Sequence, residues 1–226
     1  MSAMARGTRS KLRFVIGFGL FFVVLWLLWN TPVVYPLKIF VVLLHEVSHG
    51  VVAVATGGSI QRIELDPRQG GACYCPGGNA LLTLSAGYLG SLAWGALMFA
   101  AARSRTMRAQ WVNGFIGALV VALTILYVRS TFGLVFGIAF GLAMLVASRR
   151  MDAGLNRGLL AVLGLTSALY AILDIKSDIL DRPQLQSDAR MLSELTGVPT
   201  TAWGIIWIAG ALAFSAWLLR RAYQDA

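Results

Sequence analysis

His45-Glu46-Val47-Ser48-His49 is the stretch of this chain whose residue types and spacing make a specific chemistry. Two histidines four apart lie on one face of a helix, about one turn from each other. From there both imidazoles reach a single tetrahedral cation, and the glutamate beside the first can act as base toward a water that the ion activates. The chain has no other histidine, and scattering its histidines and glutamates at random gives this arrangement on the order of once in 10,000 tries. The five residues sit inside KIFVVLLHEVSHGVVAVAT, an apolar run long enough to cross a bilayer as a helix. A glutamate in the middle of such a helix is expensive without a partner or a task. That cost weighs against the blander reading, a pair of core histidines hydrogen-bonded to neighbouring helices.

The elements that position this motif follow from composition. The chain is 58% hydrophobic and 13% charged, about half the charge fraction of a soluble domain. This predicts an all-α polytopic membrane protein, a single integral-membrane domain over residues 1–226 in contact with the lipid bilayer. The net charge of +9 comes from short clusters between apolar runs, where membrane proteins keep their flanking Arg and Lys. It forms no basic face or aromatic-basic module, so no nucleic-acid partner is expected.

Seven apolar segments are predicted to span, at 14–29, 37–56, 80–102, 111–128, 132–147, 159–175 and 202–219. The first follows a basic start but has no small-residue cleavage site behind it, which reads as an uncleaved membrane helix. Gly57-Gly58 should end the histidine helix. Residues 59–79 then alternate weakly around a glycine turn, giving either a short β-hairpin close to the histidines or a plain interfacial loop. Cys73 and Cys75, one residue apart, are poorly spaced for an unstrained disulfide with each other. Two thiolates would still need two more ligands to hold a metal, so both read as loop residues. Small residues at Gly87, Ser91 and Gly95 should let the third segment approach the histidine helix closely. The stretch after the sixth segment, which holds Asp181, Asp188, Arg190 and Glu194, reads as a loop.

A zinc site of this kind needs a third protein ligand and an open position for water. With no other histidine, the ligand must be a carboxylate among ten acids. The second and sixth segments run in the same direction and leave the membrane on the same side. His49 lies about 12 Å before that exit and Asp174 about 9 Å, at 1.5 Å per residue. Depth therefore favours Asp174 as third ligand, with Asp178, one turn shallower, as the alternative or as a group that orients a ligand. Both could instead be interfacial carboxylates paired with Lys176 or Arg182.

These residues together resemble the site-2-protease group of intramembrane zinc metallopeptidases, in its small peptidase M50B-like branch. The resemblance rests on HEVSH at 45–49, the TGG and hairpin after it, LSAGYLGS at 84–91, YAILDIKSD at 170–178, SDARMLSELTGVP downstream, and Trp203-Gly204. It covers roughly residues 37–210. In the wider group the ligating aspartate belongs to an Asp-Gly pair in an apolar helix. This chain has none; its nearest match, Asp152-Ala153-Gly154, follows two arginines in a loop.

The resemblance implies hydrolysis of peptide bonds in membrane-embedded substrates. Zn2+ would be held by His45, His49 and a carboxylate, and Glu46 would be the catalytic base. The substrate would be a membrane helix that unwinds locally. The expected location is the plasma membrane, as a multi-pass protein. A competing reading is a non-catalytic protein of the same fold that sequesters membrane partners. A transporter would need more intramembrane acids than segments three to five supply, which is none.

Overall fold

The computed structural model describes residues 3–181 and 186–224, with side chains over 11–179 and 186–224. The chain runs α1 (Ala3–Leu28), α2 (Tyr35–Ala55), β1 (Arg62–Asp66), β2 (Gly70–Tyr74), α3 (Ala80–Arg103), α4 (Ala109–Tyr127), α5 (Thr131–Arg150) and α6 (Ala153–Lys176). A π-helical turn follows at Ser177–Asp181, then α7 (Asp188–Thr196) and α8 (Thr200–Gln224). Among the described residues seven helices are long and apolar enough to cross a membrane. The protein is an integral multi-pass membrane protein with a two-stranded antiparallel hairpin after its second helix.

Local chemistry sets the boundaries. Pro36 stands at the start of α2, where its missing N–H costs nothing. Gly57, at φ 94°, turns the chain out of that helix. Asn79 and Ser130 cap α3 and α5 by accepting from the backbone N–H of Leu82 and Gly133. Asp152 caps α6 through Gly154 and Leu155. That cap is why α6 starts six residues before the expected 159, despite the polar Asn156 and Arg157 in its first turns. Asn156 is then fully buried, and its side chain meets Asn113 of α4, which donates to Asn156 Oδ1 at 2.7 Å and to its carbonyl at 3.0 Å. Asn156 in turn donates to the carbonyls of Met151 and Asp152. This polar knot fixes the α4–α6 contact and the α5–α6 corner. Asn113→Ala should cost about 1–3 kcal/mol, because Asn156 is left with unmade bonds in a dry setting. Thermal unfolding in detergent reads that loss.

α2 is the buried centre, with Ile39, Phe40, Val41 and Leu43 almost completely covered. α3 packs against it antiparallel: Asn79 N–H donates to Thr56 Oγ1 at 2.9 Å, and Gly90 faces Ser48. α3 is also antiparallel to α6, where Ser167 Oγ donates to the Ser91 carbonyl at 2.7 Å and Gly95 abuts the Gly164 carbonyl. The small-residue stripe thus serves two neighbours. Gly87 and Gly90 admit α2, while Ser91 and Gly95 admit α6. The expectation that the stripe as a whole packs on the histidine helix is corrected accordingly. Two antiparallel contacts in succession make α2 and α6 run the same way.

The hairpin pairs Ile63 with Cys73 and Leu65 with Gly71. Ile63 and Leu65 are buried, and Arg62, Glu64 and Asp66 alternate with them. The far edge of β1 is covered by the α4–α5 corner, since Arg129 N–H donates to the Ile63 carbonyl at 3.0 Å and Leu65 N–H to Ser130 Oγ at 2.9 Å. Tyr35 Oη donates to the Pro67 carbonyl at 2.7 Å, which ties the hairpin tip to the start of α2. The hairpin therefore lies along α2 and offers only the β2 edge to a further strand. The two cysteines lie at the end of β2 with Cα atoms 5.5 Å apart.

A second correction concerns the region after α6. The stretch read as loop contains α7, capped by Ser187, which accepts from Arg190 N–H, and ended by Gly197 at φ 74°. Ala189 and Leu192, three apart, are fully buried against a cluster of Tyr88, Ile175, Ile179 and Trp207. Arg190 and Glu194 pair on the outer face at 3.1 Å.

Candidate metal centre

Helical spacing in α2 brings the His45 and His49 rings to a centroid separation of 4.8 Å. His49 Nδ1 lies 2.7 Å from the Thr83 carbonyl. A carbonyl oxygen only accepts, so Nδ1 carries the proton and Nε2 keeps its lone pair for a cation. His45 Nδ1 faces Asp174 Oδ2 at 3.9 Å, within ion-pair reach. Its Nε2 points into the same space as that of His49. His49 is thus held by its Nδ1, His45 has Asp174 near its own Nδ1 beyond hydrogen-bond distance, and both offer Nε2.

The carboxylate that completes the group is Asp188. Its Oδ2 lies 3.0 Å from His45 Nε2 and 3.2 Å from His49 Nε2. One ligand atom from each of the three residues falls within 4.8 Å of the others. Asp188 is the first residue of α7, where the helix N-terminus favours a negative charge. Burial alone would raise its carboxyl, but the positive charge and hydrogen bonds of protonated His49 and His45 hold it below the usual carboxylate range; a cation on their Nε2 atoms would supply the same charge. Two imidazole nitrogens and one carboxylate oxygen are a zinc donor set with room for a fourth ligand.

The structure places Asp174, the first choice from the sequence, beside the outer nitrogen of His45 rather than among the converging atoms. Asp178 accepts from Tyr88 Oη at 2.5 Å. The Tyr88 ring stands edge-on to His45, 5.1 Å between centroids, and packs on Trp207. Asp174 and Asp178 thus border the histidine helix, while Asp188 reaches the Nε2 atoms from the far side. Sequence reasoning passed over Asp188 because depth was counted along membrane helices and Asp188 follows the sixth one. The signals that could have found it are local: Ser187 as cap, and Ala189 and Leu192 as a buried face for a short helix folding back.

Glu46 is 5% exposed and points to the hairpin side of α2. Its carboxylate lies beneath Gly71 of β2. Glu46, both histidines, Asp188, Asp174 and the β2 residues line one cavity of about 1030 Å³. Two glycines make room for this grouping. A Cβ at Gly87 would run into Nε2 of both histidines, and one at Gly71 would meet the Glu46 carboxylate. In each case the obstacle is the far end of a side chain, so the functional group moves rather than the backbone. Gly87→Ala should therefore abolish stoichiometric metal binding. Gly71→Ala should leave metal in place and lower turnover by about 10- to 100-fold, through a displaced base. Metal analysis of the two purified variants, beside a cleavage assay, separates these outcomes.

A polytopic membrane fold with a histidine–histidine–carboxylate cluster inside its helices defines a class, the intramembrane metalloproteins. The family model described as Peptidase M50B-like matches residues 18–218. The chain belongs to that family, a site-2-protease family of membrane metallopeptidases. No curated protein matches the chain, and no solved structure does.

Proposed function

We propose that this protein is an intramembrane zinc metalloprotease that hydrolyses peptide bonds of membrane-embedded substrates. The observation that carries the proposal is the convergence of His45 Nε2, His49 Nε2 and Asp188 Oδ2 in the cavity that also holds Glu46. His45, His49 and Asp188 hold the ion in this reading, and Asp174 orients His45 through Nδ1. Zinc, when bound there, polarises the scissile carbonyl and makes water a nucleophile near neutral pH. Glu46 takes the proton from the attacking water and delivers one to the leaving amine. Its carboxylate sits beneath Gly71 of β2, which sets the direction from which it approaches the water.

The β2 edge supplies a place for the substrate backbone. β1 is blocked by the α4–α5 corner, so an unwound substrate segment adds as a strand beside Gly70–Tyr74 and lies along the cavity. Hydrolysis requires such unwinding, because a helical substrate keeps its carbonyls bonded within itself. The test of the function is zinc content per chain together with cleavage of a membrane-helix substrate in bilayers. A well-folded parent protein with no stoichiometric metal and no cleavage would remove the protease reading and favour a protein that sequesters membrane partners.

A further inference from the structure

We propose that Tyr88 is a positioning residue of the metal centre: its hydroxyl anchors, through Asp178, the turn that leads to Asp188, and its ring braces His45. This role rests on the reading of His45, His49 and Asp188 as metal ligands and names what holds them together. His45 and His49 share one helix, so their spacing is set by the helix itself. Asp188 has no such support. It opens a helix of nine residues, reached from α6 by way of the π-helical turn at Ser177–Asp181, a form that recurs at functional sites. The third donor is therefore the one whose place depends on contacts from other elements.

Tyr88 supplies such contacts from a single side chain. Its hydroxyl donates to Asp178 Oδ2 at 2.5 Å, inside the π-helical turn. Its ring shares a buried cluster with Ala189 and Leu192 of α7, the first of them next to Asp188. The same ring stands edge-on to His45, 5.1 Å between centroids, and is backed by Trp207 at 5.0 Å. The turn is held from α8 as well, where Ile179 seats against Gly204. Tyr88 is 1% exposed. A phenylalanine would fill this apolar cluster with no hydroxyl to desolvate. The hydroxyl is kept where it meets a carboxylate, and such charge-assisted bonds are about twice as strong as neutral ones. On the preceding residue, Gly87, a Cβ would run into both Nε2 atoms. One turn of α3 thus touches the two histidines and fixes the segment that brings the third ligand. Because its proton is directed at Asp178, Tyr88 acts through the ligands rather than on substrate.

The test titrates zinc, and cobalt(II) in its place, into the full-length chain in detergent against a chromophoric chelator. Thermal unfolding of each metal-free variant checks folding. Tyr88→Phe keeps the ring and loses only the hydroxyl. It should bind zinc about 10- to 100-fold more weakly than the parent. At saturating cobalt its visible d–d bands should lose intensity, as Asp188 gives up its place to water. A side chain needed only for packing would leave the saturated spectrum at the parent's. Asp178→Asn keeps an oxygen that accepts from Tyr88 and should bind zinc more tightly than Asp178→Ala. Adding Tyr88→Phe to Asp178→Ala should weaken binding no further, since the two groups act as one pair. Parent affinity and spectrum in Tyr88→Phe overturn the proposal. Equal losses in Asp178→Asn and Asp178→Ala, or additive losses in the double variant, overturn the pair. A folded parent that binds neither metal overturns the metal-centre reading itself, whereas one zinc in the parent with an unaffected Tyr88→Phe overturns the positioning role alone.

Discussion

Asp188→Ala should yield a folded chain that retains no stoichiometric zinc after dialysis, while Asp174→Asn retains it with affinity reduced by about 10- to 100-fold. The difference follows from which ring nitrogen each carboxylate meets. Asp188 Oδ2 lies 3.0 and 3.2 Å from the two Nε2 atoms, so its removal takes away one of three donors. The two remaining imidazoles have little hold on a cation that requires four ligands. Asp174 lies on the Nδ1 side of His45 at 3.9 Å. Its loss lets the ring turn and lowers its basicity but leaves every donor in place. His45→Ala is the control that must lose metal in either account. Competition with a chromophoric chelator orders the affinities, and thermal unfolding checks that the variants fold. The reverse order, with zinc lost in Asp174→Asn and kept in Asp188→Ala, would make Asp174 the ligand and reduce the approach of α7 to packing.

The sequence carries this site unevenly, for physical reasons. His45, Glu46 and His49 are legible because a helix places residues four apart on one face whatever surrounds it. The parallel course of α2 and α6 is also legible, because membrane crossings alternate. Both facts depend on local periodicity and on a count. Asp188 depends on neither. It returns to the site through the turn after α6 and the short helix α7, whose nine residues are too few and too polar to register as a membrane element. What fixes α7 is tertiary: Ala189 and Leu192 settle against Tyr88, Ile175 and Trp207, residues of three other helices. The glycine stripe on α3 is a similar case. Gly87 and Gly95 read alike as small residues, yet one leaves space for imidazoles and the other for the α6 backbone. Only the packing partners distinguish them.

Glu46→Gln should keep one zinc per chain and lower cleavage by about 10²- to 10⁴-fold, the range for loss of a general base. Glutamine has nearly the same shape as glutamate, so it fits the same place beneath Gly71. The substitution therefore removes the basic lone pair and little else. Each metal donor is untouched, since Glu46 points toward the hairpin while the Nε2 atoms point toward α7. Unlike a ligand variant, Glu46→Gln separates binding from chemistry: substrate should still enter and remain uncut. A trapped complex of the variant with a membrane-helix substrate, recovered intact, would show that binding survives the loss of turnover. Cleavage at the parent rate would assign the proton transfer to another group and leave the buried carboxylate without a catalytic role. Comparison with Gly71→Ala then locates the effect. If displacing the carboxylate and neutralising it both slow the reaction while zinc stays bound, the hairpin acts on catalysis by setting where the base stands. In that case the same strand that offers its edge to the substrate also fixes the group that activates the water.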